Sequence, residues 1–412
     1  MEQDEDGDAK RRALSRNPAL VCAYHAVHMS LFPIAIITLF MRDDLGLSML
    51  EVFLLQAIFG LALGLAEFPG GYVADRIGYR RSMAVGALLA SSGWFIYVLA
   101  DGFLLVAVAE VVMAVGIALI SGADTALMYE SLLATDDEGS YTHWYSRYRF
   151  FGNVGEGTAA LVGALLYSYM PRVPLAIQGV LWALNVFIAL RLLEPDRDQG
   201  AARCAGARVV AILRFATVES PRLRALIALS LTLCMPTYVM VWILPAYTID
   251  GGVAASYMGP IWAGASYLVA LASLASPRVR ERLGLTGALS LCVGLIAVGY
   301  LGLGLTHAWY GFLFHAALCV TRGIQSPLLQ HEEQRVIPSS DRASLLSLKN
   351  LAFRLSFVAL APMIGHALDE AGHHTVLLTL ALPFTLAASL ALLTLQWSRA
   401  PNRATPVPIR PR

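Results

Sequence analysis

Residues 71–81 read Gly71-Tyr72-Val73-Ala74-Asp75-Arg76-Ile77-Gly78-Tyr79-Arg80-Arg81, and they lie between two apolar runs, about 48–71 and 82–100. Each run is long enough to cross a bilayer, for which roughly 20 apolar residues suffice. A charged cluster in so short a gap predicts a tight turn at the membrane face. Gly78 permits the reversal of direction, and Arg76, Arg80 and Arg81 favour the cytoplasmic side.

The composition agrees with this hairpin. Hydrophobic residues make up 57% of the 412 and charged residues 14%, where soluble domains carry about a quarter charged. The mean hydropathy is +0.61. The length accommodates about twelve spans with short loops. The five cysteines, Cys22, Cys204, Cys234, Cys292 and Cys319, show no paired spacing, and four lie in apolar runs. They are expected to be packing residues, with no disulfide framework and no metal site. No signal peptide is expected, because the start is polar and no convincing cleavage site follows.

Apolar runs fall at about 19–41, 48–71, 82–100, 103–132, 146–168 and 173–193, and again at about 225–248, 257–276, 286–305, 309–330, 344–367 and 375–397. The fold class is therefore an all-α membrane protein of twelve transmembrane helices in two six-helix bundles, 19–193 and 225–397. Residues 1–18 form an N-terminal tail, 194–224 a linker and 398–412 a C-terminal tail. With both termini cytoplasmic, the loop arginines and lysines gather on the inner side, and only Arg42 and Arg172 lie outside. This bias sets the orientation.

A repeat supports the two bundles. Asp75-Arg76-Ile77-Gly78 returns as Glu281-Arg282-Leu283-Gly284 half a chain length later, in the corresponding loop. Duplicated six-helix halves require this placement.

The pattern Gly-x-x-x-Asp-Arg-x-Gly-x-Arg-Arg, set between two spans, resembles the loop signature between helices 2 and 3 of the major facilitator superfamily. Glu67 to Gly71, Ser121 to Leu132, Arg322 to Leu328 and Arg342 to Leu348 extend the likeness to a broad, largely uncharacterised bacterial branch of twelve-helix facilitators. The resemblance implies two pseudo-symmetric halves and alternating access. It also implies a gating motif of Gly71, Asp75, Arg76, Gly78, Arg80 and Arg81. In it Asp75 faces the start of helix 11, and the arginines engage an acid near the end of helix 4, for which Glu130 is the nearest candidate. Two departures weaken a drug-efflux assignment. No arginine lies between Phe103 and Glu130, and Gly152, Gly155, Gly157 and Gly163 lack the Gly-Pro step of the helix-5 antiporter motif.

Charges within spans are costly unless paired or hydrated. The first half places Glu67, Glu110, Asp124 and Glu156 in its helices; the second places Arg322, Lys349 and Arg354 there and no carboxylate. Asp124, Glu156 and Glu67 are the candidates for proton coupling. Arg322, Arg354, His28, Trp242 and Tyr238 are the candidates for substrate binding. Structural ion pairs or loop caps are the competing reading of the charges. For His25 and His28, three residues apart in the first span, a proton relay competes with ordinary histidine packing, and for the aromatics packing or an interfacial belt competes with a pocket lining. Gly60, Gly64, Glu67 and Gly71 share one face of the second helix, where small residues serve either static packing or sliding.

No Walker loop, His-Glu-x-x-His or Cys-x-x-Cys element is present, and His331-Glu332-Glu333 lacks a second histidine and reads as an inner loop. The chain is therefore expected not to be an enzyme and to need no cofactor, with the proton gradient as its energy source. It is expected to act as a monomer in the bacterial inner membrane, with a small-molecule substrate and the lipid bilayer as partners and no nucleic acid. Proton-coupled export of a metabolite or drug-like compound is the leading reading, with proton-coupled uptake next and a facilitator-like sensor or receptor third.

Overall fold

The computed structural model describes residues 10–195, 220–336 and 342–398, and among these every regular element is helical. The twelve apolar runs become twelve helices. In the first half these are α1 (Asn17–Met29), α2 (Met49–Ile77), α3 (Tyr79–Leu99), α4 in two pieces (Phe103–Ile120 and Ala123–Ala134), α5 (Tyr141–Tyr167) and α6 (Val173–Arg191). In the second half they are α7 (Pro221–Asp250), α8 (258–283), α9 (285–305), α10 (His315–Val336), α11 (342–371) and α12 (373–397), with α8–α9 and α11–α12 divided only at Gly284 and Gly372. The linker and both tails lie largely outside the described residues, as does Cys204.

Several boundaries differ from the hydropathy reading. The first run does not continue as one helix to residue 41. α1 stops at Met29, and short helical turns resume only at Ile37–Leu39 and Phe40–Asp44. Pro33 removes a backbone donor and disfavours the helical conformation at Phe32. The freed Phe32 N–H donates to the Gln178 side-chain oxygen of α6 at 2.9 Å. The fourth run also breaks, because Gly122 adopts φ 82 between the two pieces of α4.

The 71–81 turn is narrower than expected. α2 starts with a reciprocal cap between Ser48 and Glu51 and stays helical to Ile77, so the reversal falls on Gly78 alone, at φ 99 and ψ 148. Half a chain later Gly284 has φ 68 and ψ 174. Both values lie where only glycine sits without strain. The repeat read in the sequence is thus a repeat of backbone conformation.

Seven helical stretches of the described chain are long and apolar enough to cross a membrane, and two of them hold the double helices α8–α9 and α11–α12. The remaining spans are α1, α5 and α10, which are cut short or carry charge.

The helices gather into two compact units. The described part of the first comprises 10–195 with 254–263 and 358–365, and that of the second 220–253, 264–336, 342–357 and 366–398. In the first unit α3 and α4 touch backbone to backbone, since a Cβ on Gly86 would lie 2.5 Å from the Gly116 carbonyl oxygen. Around that contact Tyr24, Met83, Leu127, Tyr148 and Trp182 form a buried core. In the second unit Leu229, Leu233, Ile296, Tyr300 and Leu318 are buried. Large apolar side chains remain exposed on both, among them Leu65, Leu88, Phe187, Leu271 and Leu390, as a lipid-facing surface demands.

Candidate functional site

The break in α4 decides the setting of Asp124. With Gly122 turning the chain, Asp124 opens the first turn of the second piece and is buried, 6% exposed. One carboxylate oxygen accepts the Thr125 N–H at 2.7 Å, and the other accepts the Tyr148 hydroxyl at 2.5 Å. No cation pairs with it among the described residues. The Tyr148 ring, on α5, stacks on His25 of α1 with centroids 3.5 Å apart. His25 in turn meets His28 edge-on, and His28 packs against Trp182 of α6 at 4.6 Å.

A second buried acid of the same kind is Glu110 on α4, 4% exposed. Its Oε1 accepts from Tyr97 of α3 at 2.5 Å and from Gln56 of α2 at 3.0 Å. Again no cation is paired with it among the described residues. Glu156 on α5 and Glu67 on α2 are half-buried, and Glu156 makes no hydrogen bond or ion pair among the described residues. A carboxylate served by neutral donors can accept a proton by rearranging one hydrogen bond, and protonation removes a buried charge.

The signature segment joins α2 to α3. Gly78 separates α2 from α3, and the Glu194 carboxylate accepts the N–H groups of Tyr79 and Arg80 at 2.8 Å each. This satisfies two orphan donors and sets an anion at the positive end of α3. The Arg80 guanidinium donates to the Leu190 carbonyl at 2.7 Å, and Arg76 donates to Tyr72 at 2.8 Å. Asp75, Arg76 and Arg81 are exposed, and Gly71 faces open space. The structure does not bring Glu130 to these arginines: it is half-buried and makes no hydrogen bond or ion pair among the described residues. The acid that serves this turn is Glu194. The close helix approach expected along the α2 glycines falls at Gly70, where a Cβ would lie 2.8 Å from the Ala118 carbonyl oxygen of α4.

In the second unit, Arg322 is exposed on α10 and makes no hydrogen bond or ion pair among the described residues. Arg354 is half-buried on α11. Tyr238 and Trp242 of α7 belong to a ring cluster in which Tyr238 meets Phe353 at 5.3 Å and Phe357 at 4.9 Å. Trp242 is 9% exposed, and its indole N–H has no partner among the described residues.

The inner-loop reading of Glu332 and Glu333 is corrected. α10 runs on to Val336, and both carboxylates are helical and 1% exposed. Glu332 accepts from Arg222 at 3.0 Å and Arg280 at 2.7 Å, with Arg335 at 3.8 Å, while Glu333 pairs with Lys349 at 2.8 Å. The expectation that the second half keeps no carboxylate in its helices therefore fails. Cations from α7, α8 and α11 stabilise the polar end of α10. Hydropathy along α10 alone carries no trace of them.

Sequence reasoning left Tyr148, Glu194, Glu332 and Glu333 out of the candidate residues and passed over Glu110. A usable signal existed for Tyr148. It falls with Tyr141 and Tyr145 on one face of α5, followed a turn later by Gly152, where a Cβ would lie 2.6 Å from the His25 ring.

The geometry is matched by similarity to known proteins. A solved nucleoside transporter, NupG, superimposes with a TM-score of 0.73 at 14% identity, covering 93% of this chain and 98% of that one. A bacterial homologue of the human lysosomal transporter Spinster gives 0.68 at 15% identity, covering 94% and 95%. A POT family transporter solved with 5-aminolevulinic acid gives 0.68 at 13% identity, covering 94% and 97%. No curated protein matches the sequence. At these identities the likeness shows the fold, two pseudo-symmetric six-helix bundles. The family model of the Major Facilitator Superfamily matches residues 20–330. The chain belongs to the Major Facilitator Superfamily, as an integral, multi-pass secondary transporter working by alternating access.

Proposed function

We propose that this transporter exports a small anionic or zwitterionic organic molecule in exchange for protons across the bacterial inner membrane, as a monomer with both termini cytoplasmic. The observation that carries the reading is Asp124, a buried carboxylate at a helix break, held by Tyr148 and a backbone N–H and by no cation among the described residues. A proton-driven carrier needs a group that can be charged in one state and neutral in another, and an acid locked in an ion pair is poorly suited to that. Glu156 is the second coupling acid in this reading, with Glu67 nearer the signature segment. Arg322, exposed within a span, is a cation available for an anionic substrate group. Arg354, His28, Trp242 and Tyr238 complete the proposed binding residues. Gly71, Asp75, Arg76, Gly78, Arg80, Arg81 and Glu130 serve as a latch and do not touch the substrate. The structural relatives include a nucleoside transporter, a peptide transporter and a POT family transporter solved with 5-aminolevulinic acid, which sets the first panel to try.

The test is flux of labelled uridine, dialanine and 5-aminolevulinic acid in vesicles of both orientations, with and without a pH gradient. For whichever is carried, Asp124→Asn is expected to lower gradient-driven flux at least about tenfold, the scale of one removed proton-transfer group, while gradient-free exchange continues. Full proton-dependent transport in both Asp124→Asn and Glu156→Gln overturns the assignment, and orientation of the active vesicles separates export from uptake.

A further inference from the structure

Six buried polar atoms gather along one seam of the first unit without a protein partner among the described residues: Nδ1 of His25, Nδ1 of His28, Nε2 of Gln178, Nε1 of Trp182, and both Oδ1 and Nδ2 of Asn185. Native interiors rarely leave even one such atom unserved. They are not scattered. Phe32 of the α1 extension bonds Gln178, His28 packs on Trp182, and Asn17 exchanges hydrogen bonds with Leu193. Each step down the chain from Phe32 to Asn17 is matched by an equal step up from Gln178 to Leu193. This constant antiparallel register sets Asn185 opposite His25. Gln178, Trp182 and Asn185 also fall on one face of α6, since their spacing of four and then three residues follows the helical repeat. Asn185 and Gln178 are fully buried, and His25 is 7% exposed.

The opposite flank of His25 is closed by Tyr148, whose ring lies parallel on the imidazole while its hydroxyl donates to Asp124. A tyrosine ring whose hydroxyl serves an anion is electron-rich, and an imidazolium on its face is attracted to it. On the α6 side the register sets Asn185 level with His25, and its amide oxygen and nitrogen are buried and without a protein partner among the described residues, so an acceptor is at hand for a protonated imidazole. A polar, enclosed seam of this kind also suits ordered internal water.

We propose that His25 and Asp124 form one proton site shared across Tyr148, with Asn185 and water in the α1–α6 seam accepting from the His25 ring. The inference rests on the proton-coupled reading above and adds a residue and a route to it. When Asp124 is ionised, a proton on His25 offsets its charge within the bundle. When Asp124 takes a proton, His25 releases its own through the seam water to bulk solvent, so the buried net charge stays near zero in both states. The titratable groups that act on His25 are His28 on α1 and Arg149 on α5, with Tyr148 stacked on its ring and Asp124 of α4 bonded to the Tyr148 hydroxyl. α6 presents only the uncharged Gln178, Trp182 and Asn185. Arg149 opposes a charge on His25, but its side chain is exposed and screened accordingly. Asp124 is the buried anion of the set, one hydrogen bond beyond the ring that stacks on His25.

The experiment is a pH titration of the purified full-length protein in detergent, following the ¹⁵N-labelled histidine rings by NMR and the protonated-carboxyl stretch by infrared difference spectroscopy. His25→Gln assigns the ring signal and Asp124→Asn the carboxyl band. The expected result is that His25 titrates in two steps, one coinciding with the Asp124 band, as interacting groups do. In Asp124→Asn the curve collapses to one step. Asn185→Leu, close in size and uncharged, is expected to abolish His25 protonation without removing the Asp124 band. Tyr148→Phe keeps the ring and drops the hydroxyl, and should separate the two titrations. A His25 signal that never titrates, or one with the same curve in the wild type and Asp124→Asn, overturns the shared site. This readout needs no substrate. Loss of gradient-driven flux in Asp124→Asn with an unchanged His25 curve sinks the shared site alone. Coupled titration beside proton-independent flux upholds the site and sinks the transport reading.

Discussion

The two units bury carboxylates in opposite ways. In the first, Asp124 and Glu110 rest on tyrosine hydroxyls, a glutamine amide and a backbone N–H. In the second, Glu332 and Glu333 are as deeply buried, but each is met by arginine or lysine. Two duplicated halves have thus diverged in what their acids can do. An ion-paired acid is fixed in its charge and ties helices together. A neutrally bonded acid can change its charge while the surrounding bonds persist. On the proton-coupled reading proposed above, the second unit's acids have the structural duty and the first unit's carry the proton traffic.

The largest contrast is expected from paired substitutions. Lys349→Met strands Glu333, 1% exposed, and should cost about 3–5 kcal/mol of stability, the usual result of breaking a buried pair from one side. Asp124→Asn keeps Oδ1 as acceptor for the Thr125 N–H and turns the other contact round, with Nδ2 donating to the Tyr148 oxygen, and should cost less than about 1 kcal/mol. Thermal unfolding of the purified variants ranks them, and equal losses would erase the distinction between the units. A smaller effect separates the two turn glycines. Gly78→Ala is strained in backbone and brings a methyl to 3.0 Å from the Glu194 carboxyl carbon, whereas Gly284→Ala meets nothing within 4 Å. We expect about 2 kcal/mol at Gly78, from strain plus a damaged cap, and about 1 kcal/mol at Gly284 from strain alone. The reverse order in denaturation midpoints would show that Glu194 contributes little. As small as the Gly284 effect is that of Tyr97→Phe, which removes one of the two donors to Glu110 and should cost about 1 kcal/mol. A loss several times larger would make Glu110 an acid held charged, unlike Asp124.

Much of this was legible in the chain. The spans follow from hydropathy, and both turn glycines stand out because a glycine between charged residues at a membrane face has few other uses. Asp124 could be singled out because a carboxylate deep in an apolar run is costly. What escaped depended on distant residues. The run from Phe103 to Leu132 is apolar on average and long enough for one span, so its mean hydropathy does not reveal that Gly122 breaks it. His331-Glu332-Glu333-Gln334-Arg335 reads as a loop because its neutralising partners Arg222, Arg280 and Lys349 come from three other helices. Glu194 reads as the start of a polar linker, and only the folded chain shows it closing a turn more than a hundred residues earlier. Glu130, by contrast, was chosen by resemblance, and Arg80 binds the Leu190 carbonyl instead.

The way α1 is finished has a consequence for how the protein is made. The backbone of Phe32 is satisfied by Gln178, and the amide of Asn17 is satisfied by Leu193, which in turn donates to it. A nascent chain leaving the ribosome would deliver α1 to the bilayer with these demands unmet and would have to produce five more spans before α6 could answer them. The first span is therefore inserted early but completed last, and the bundle closes as a ring whose first and sixth members seal it together. A chain halted before Gln178 would hold α1 in the membrane with its polar face unserved, a natural mark for quality control to read.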